Sequence, residues 1–247
     1  MILVAVFLPV WVSLAHAVIP DKPVPFRLRA TGQQLTPAGN ELTQITGAIN
    51  AVTLIAGFMM FAVTFTGGRF DRRLAMAGYP RTQLALAKTA SLTLACAAVS
   101  TYATAVVCAV WSPRRPVLLA LALFCGALTY GALGVVFGSL LRREVEGMFA
   151  LVMTSMVDVA LQNPMASSGA DSTIVRFLPT YGTMQAATAA SFTTRTVPGH
   201  LALQLLWFTA TALLGLLAFH RRTRNALSGK PLPGCSTDRA HATPMPP

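Results

Sequence analysis

Six apolar stretches, most of them long enough to cross a bilayer, constrain this chain of 247 residues more than any other feature. The hydrocarbon core of a membrane is about 30 Å thick, and a helix needs about 20 apolar residues to cross it. The stretches cover residues 1–19, about 42–66, 89–111, 117–141, 147–161 and 201–219, the fifth being short. Only 11% of all residues are charged. We therefore predict an all-α integral membrane protein with six transmembrane helices.

The positive charges between the stretches predict how the chain is oriented. Lys and Arg near membrane spans tend to remain on the cytoplasmic side. If both termini are cytoplasmic, twelve of the nineteen Lys and Arg residues lie inside and seven outside. The net charge of +11 therefore faces anionic lipid or a protein partner. Nucleic acid is not expected as a partner, because no basic surface with interleaved aromatic residues accompanies the charge.

The strongest concentration of charge, which we call the basic island, covers residues 67–88 between spans two and three. Its first part, residues 69–77, is expected to form a short helix with Phe70, Leu74 and Ala77 on one side. Gly78-Tyr79-Pro80 is expected to end that helix, because the residue before a proline avoids the helical region. Pro80 suits the first turn of a second helix, which leads into span three.

The first apolar stretch has two interpretations. Ala15-His16-Ala17 resembles a signal-peptide cleavage site, but no basic residue precedes the stretch and Pro9 interrupts it. We expect a transmembrane helix instead. The missing charge also raises the hypothesis that the true start lies upstream of Met1. Residues 1–225 are expected to form the membrane domain, and residues 226–247, rich in Pro, Ser and Thr, a disordered cytoplasmic tail.

Two features lie within the spans themselves. Asp158 is the acid of span five, and a carboxyl group in a membrane is by default a candidate functional group. Gln162-Asn163-Pro164 follow closely, so Asp158 can instead cap or hydrogen-bond the outer end of its helix. In span four, the spacing of Gly134 and Gly138 allows a neighbouring helix to approach closely. Helix packing is the favoured interpretation, with dimerisation second.

Two connections between spans are also informative. The inner loop before span five holds the candidates Arg142, Arg143, Glu144 and Glu146, whose opposite charges can pair, anchor the interface or contact a partner. The long outer connection before span six includes residues 176–192, which are apolar but interrupted by Pro179 and Gly182. This segment is expected to be an outer interfacial or re-entrant helical region.

Several kinds of chemistry have no motif in this sequence. GxxxxGK[ST], HExxH, CxxC and GxSxG are all absent, and the four histidines are scattered. No cofactor or metal is therefore expected, and we do not expect an enzyme. The spans also lack the repeated ionisable residues of a proton relay. If the chain transports a compound, its energy source is expected to lie elsewhere.

Three segments in order along the chain resemble the permease subunits of type-2 exporters of the ATP-binding cassette (ABC) class, in particular bacterial, actinobacterial-like members. They are RFDRRLAMAGYPRTQLALAK at 69–88, LLRREVEGMF at 140–149, and VDVALQNP at 157–164 followed by LPTYGTMQAATAASFT at 178–193. The resemblance covers nearly the whole chain. It implies that residues 69–77 are a cytoplasmic coupling helix seated on a separate ATPase subunit. The amphipathic segment that usually precedes the first span in this family has no counterpart here.

The resemblance implies an ABC exporter permease of the plasma membrane that pairs with a second permease, either a copy of itself or a different chain. Residues expected to contact the ATPase are Arg69, Phe70, Arg72, Arg73, Leu74 and Tyr79. Arg72 and Arg73 can alternatively anchor to lipid headgroups. Thr, Ser, Met and Phe in the spans suit an amphiphilic or apolar cargo, such as a drug or lipid. The alternative function is a membrane scaffold or assembly factor that does not transport.

Overall fold

The computed structural model describes residues 2–28, 32–77, 80–141, 143–162, 173–194 and 197–227. Within these ranges the chain forms seven α-helices and one two-stranded antiparallel ribbon. The elements are α1 (Ile2–Val18), β1 (Phe26–Leu28), β2 (Gln33–Leu35), α2 (Gly39–Met76), α3 (Arg81–Val110), α4 (Pro116–Leu140), α5 (Glu144–Gln162), α6 (Tyr181–Phe192) and α7 (Pro198–Leu227). The all-α membrane fold is confirmed.

Four helices are long and apolar enough to cross a membrane. Their apolar parts are Gly39–Gly67 in α2, Leu86–Val110 in α3, Pro116–Leu140 in α4 and Pro198–Ala218 in α7. Helix α1 is apolar but has 17 residues, and the 19-residue α5 contains three acids. The spanning role of these two helices stays a prediction.

The end of α2 differs from expectation. Helix α2 continues through Gly67 and Gly68 to Met76, so residues 69–76 are the end of a 38-residue helix and not a separate one. A glycine costs a helix only about 1 kcal/mol relative to alanine, which does not by itself end a long helix.

The connection between α1 and α2 contains the ribbon, in which Phe26 pairs with Leu35 and Leu28 with Gln33. Gly32, with φ of 68°, lies in its turn.

Helix α4 is the centre of the bundle and packs against α2, α3, α5, α6 and α7. Its closest neighbour is α2: a Cβ at Gly134 would overlap the carbonyl oxygen of Gly57, and one at Gly138 would lie 3.0 Å from the carbonyl oxygen of Phe61. Close approach requires small residues at these positions. The glycine face of α4 is therefore covered by α2 of the same chain.

The core has two parts. The larger one joins α1, α2, α3, α4 and α6, and includes the buried residues Val12, Ile49, Leu92, Leu123 and Ala187. The smaller one joins α2, α4 and α5 through Phe61, Tyr130 and Leu151. Both parts include residues of α2 and α4, so this helix pair is the common packing surface of the core.

Candidate functional site

The C-terminal end of α2 lies beyond the apolar part of that helix. The apolar part ends at Gly67, and residues 68–76, which we call the α2 extension, continue as nine further helical residues. At 1.5 Å per residue they add about 13 Å. The candidate contacts Arg69, Phe70, Arg72, Arg73 and Leu74 all belong to this extension. The Arg73 side chain is exposed, whereas Tyr79 lies outside the described residues.

Helix α3 begins at Arg81, five residues after the end of the α2 extension. Pro80 is extended, with φ of −66° and ψ of 124°, and precedes the first residue of α3. Its carbonyl accepts a hydrogen bond from the backbone N–H of Gln83 at 3.1 Å. Proline has no N–H of its own to leave unsatisfied at a helix start. Pro80 therefore lies at the N-cap of α3, one residue earlier than the first helical position.

The second candidate surface is the start of α5. Arg143, Glu144 and Glu146 are all exposed, whereas Arg142 lies outside the described residues. Arg143 Nε lies 3.7 Å from Glu146 Oε1, and the two side chains are 82% and 53% exposed. An exposed pair of this kind contributes little to stability. Its charges remain accessible to a partner.

The α2 extension and the start of α5 lie at the same end of the bundle. Moving along α4 from Gly134 to Gly138 shifts the nearest α2 residues from Gly57 to Thr64, so α2 and α4 run parallel. The C-terminal end of α4 therefore lies level with the end of the apolar part of α2, from which the α2 extension continues. Helix α5 begins four residues after α4 ends. Both sets of charged candidates thus belong to one face, which we call the basic end.

A buried polar cluster surrounds Asp158. The carboxyl group is fully buried and accepts hydrogen bonds from the Tyr130 hydroxyl at 2.8 Å and from Gln162 Nε2 at 2.6 Å. Gln162 Nε2 also lies 2.8 Å from Thr180 Oγ1, and Thr180 is itself a hydrogen-bond partner of Asp158. The cluster joins α4, α5 and the residue before α6. A buried polar group requires such partners, because unpaired burial is costly.

The Asp158 cluster bears on both interpretations of this residue. Asp158 lies in the last turns of α5 and hydrogen-bonds to Gln162 of the same helix, as expected if it stabilises the outer end of that helix. It also hydrogen-bonds to Tyr130 of a different helix, which a role confined to the helix end does not include. All three partners are uncharged. The arrangement clamps α5 onto α4, and a direct role in transport stays a hypothesis.

Two further polar contacts join helices that are far apart in sequence. Gln204 of α7 donates from Nε2 to Thr129 Oγ1 at 2.7 Å and to the Pro179 carbonyl at 2.8 Å. Its Oε1 accepts from the backbone N–H of Thr183 at 3.0 Å. Ser155 donates to Asn50 Oδ1 at 2.6 Å and so joins α5 to α2.

Helix α6 is covered by neighbouring helices. Residues Tyr181–Ser191 are all buried, and the helix packs between α4 and α7. The space exists because Gly126 of α4 has no side chain: a Cβ there would lie 2.7 Å from Thr183 Oγ1. The structure confirms a helix in this segment, and the choice between an interfacial and a re-entrant position stays a prediction.

Sequence reasoning missed most of the polar contacts. It selected Asp158 as the acid in a span but not Asn50, Tyr130 or Gln204, which are also polar residues inside apolar stretches. Polar side chains in spans are costly unless they find partners, so each was a recognisable signal. Among the described residues, His, Cys, Asp and Glu form no group that could hold a metal ion.

Comparison with known proteins gives one match. The sequence model of the family described as ABC-2 family transporter protein matches residues 13–219. No curated protein and no solved structure matches the chain. The family match includes the apolar parts of α2, α3 and α4, the basic end, the Asp158 cluster and α6. The chain belongs to the ABC-2 transporter family, and it is a multi-pass membrane permease of the ABC type.

Proposed function

We propose that this permease is the membrane subunit of an exporter driven by a separate ATPase chain. It would move an amphiphilic or apolar compound, drug-like or lipid-like, across the plasma membrane, with both termini in the cytoplasm. The observation that carries the proposal is the α2 extension. It is a helical, basic segment that projects from a membrane helix, at the same end of the bundle as the charged start of α5.

The continuity of α2 supports a role for the extension as a lever. Because residues 68–76 and the apolar part of α2 form one helix, a displacement of the extension moves α2 directly. Helix α2 is in turn locked to α4 at Gly134 and Gly138. For ATP to drive transport, the extension must bind the open and closed states of the ATPase with unequal affinity. The α2–α4 pair would convert this difference in affinity into a movement of the membrane helices.

An exposed apolar face on α5 supports pairing with a second permease. Val145, Phe149, Met153 and Met156 are all exposed, and their spacing of four, four and three residues places them on one face of the helix. Met and Phe are enriched in protein interfaces. A second copy of this chain is the proposed partner.

Charge reversal at the basic end tests the coupling proposal. The variant Arg72→Glu/Arg73→Glu is expressed with ATP-binding cassette subunits from the same organism, and co-purification is measured after detergent extraction. We expect the recovered ATPase to fall at least tenfold, because two attractive contacts become repulsive. ATP-dependent accumulation of a lipophilic dye in inverted vesicles should fall in parallel.

The matched control is Arg114→Glu/Arg115→Glu, which makes the same charge change before α4, at the opposite end of the bundle. This control should leave co-purification unchanged. Equal loss in both variants, or no loss in the first, would refute docking at the α2 extension. Normal co-purification without dye transport under any condition would favour the scaffold function over the exporter.

A further inference from the structure

An apolar groove lies between α3 and α7, with α4 as its floor. Its walls include Met60 of α2, Leu92 of α3, Val135 of α4, and Phe208 and Leu216 of α7. The lining is almost entirely apolar, with Lys88 as its charged member. Helices α3 and α7 both pack on α4, so the groove follows the surface of the bundle between them.

The groove lies in the half of the bundle nearest the basic end. Lys88 is the third residue of the apolar part of α3, which begins next to the basic island. Leu216 belongs to the second half of α7 and Val135 to the second half of α4, whereas Phe208 lies midway along the apolar part of α7. From Phe208 to Leu216 the groove follows α7 for about 12 Å. This length is close to the thickness of one leaflet, about 15 Å.

The shape and lining of the groove favour an acyl chain. The groove is open along one side, and almost all of its lining is apolar. Methylene groups can therefore lie along its length against apolar walls, where their burial is favourable.

Lys88 indicates which lipid headgroup would be favoured beside the groove. A lysine near the membrane surface attracts anionic lipid, and its ammonium group has three donors, so it can bind a phosphate in addition to other acceptors. We infer that the groove between α3 and α7 binds one acyl chain of an anionic phospholipid of the leaflet at the basic end, with the lipid phosphate at Lys88. The site is separate from the docking surface on the α2 extension and does not depend on the transported compound.

The test uses the full-length chain in nanodiscs of equal parts phosphatidylglycerol and phosphatidylcholine. After release into detergent, native mass spectrometry counts the lipids that remain bound. We expect about one retained lipid per chain, with phosphatidylglycerol about fivefold enriched, since one lysine near an anionic surface contributes ~1 kcal/mol. Lys88→Gln should abolish the enrichment, and Lys88→Arg should preserve it.

A second pair of variants tests the groove itself. Gly215 lines it, and a Cβ at this position would lie 3.5 Å from side-chain carbons of Val135 and Val136, an ordinary contact distance. Gly215→Ala should therefore retain the lipid, whereas Gly215→Leu should fill the space and lose it. Equal retention of both lipids by the unmodified chain, or full retention by Gly215→Leu and Lys88→Gln, would overturn the inference. So would recovery of an uncharged small molecule instead of a phospholipid.

Discussion

Removing the Tyr130 hydroxyl should destabilise the bundle by a measurable and specific amount. Tyr130 is fully buried on α4, and its hydroxyl donates to Asp158 of α5 at 2.8 Å. Hydrogen bonds between membrane helices contribute on average ~0.6 kcal/mol and at most ~1.7 kcal/mol. Bonds to carboxyl groups are among the stronger ones. We therefore expect Tyr130→Phe to lower the free energy of unfolding by about 1.5 kcal/mol.

The free energy of unfolding is measured by equilibrium unfolding in mixed micelles, and Tm is measured by thermal unfolding in mild detergent. A loss of about 1.5 kcal/mol corresponds to a fall in Tm of about 3–6 °C for a chain of this size. Ser155→Ala, which removes a hydrogen bond between two uncharged side chains, should cost less, about 0.6 kcal/mol. Tyr130→Phe should therefore destabilise the protein more than Ser155→Ala does.

A double-mutant cycle of Tyr130→Phe and Asp158→Asn measures the interaction energy between these two side chains. If the hydroxyl and the carboxyl group interact as the structure shows, the combined loss should fall short of the sum of the single losses by at least about 0.5 kcal/mol. Additive effects would refute the reasoning, as would a Tyr130→Phe variant as stable as the unmodified chain.

Three further predictions concern the helix pair and the basic end. Gly134→Ala should cost ~1–3 kcal/mol because its Cβ overlaps the α2 backbone, whereas Gly199→Ala, with open space around it, should be neutral in thermal unfolding. A neutral Gly134→Ala would contradict the close approach. Arg143→Gln should change stability by less than ~0.5 kcal/mol, because its pair with Glu146 is exposed, yet should weaken ATPase co-purification; a large stability loss would contradict the first part. Gly68→Pro should interrupt α2 and reduce transport by at least tenfold in vesicles while Gly68→Ala does not, and equal transport by both would argue against a rigid lever.

The sequence predicted those parts of the fold that depend on local composition. Apolar length located the spans of α2, α3, α4 and α7, and Pro80 located the start of α3 within one residue. The sequence did not predict that α6 is buried, because its burial depends on the space that Gly126 leaves on a distant helix. The sequence around α6 does not show that this space exists.

The partners of Asp158 could not be derived for the same reason. Tyr130 lies 28 residues from Asp158 and Thr180 lies 18 residues from Gln162, so their contacts exist only once α4, α5 and α6 are packed. The sequence could have identified the polar residues in spans that need partners, as it did for Asp158. Which of them pair is decided by the register between helices. The sequence likewise did not show that α2 continues through Gly67 and Gly68.

The most direct test of the account is site-specific photo-crosslinking at Arg73, whose side chain is exposed on the α2 extension. A photoreactive amino acid replaces Arg73 in living cells, and the same amino acid replaces Arg114 at the opposite end of the bundle as a control. After irradiation, adducts are identified by mass spectrometry. The account predicts an adduct with an ATP-binding cassette subunit at position 73 and none at position 114. An ATPase adduct missing from position 73, or formed equally at both positions, would contradict it.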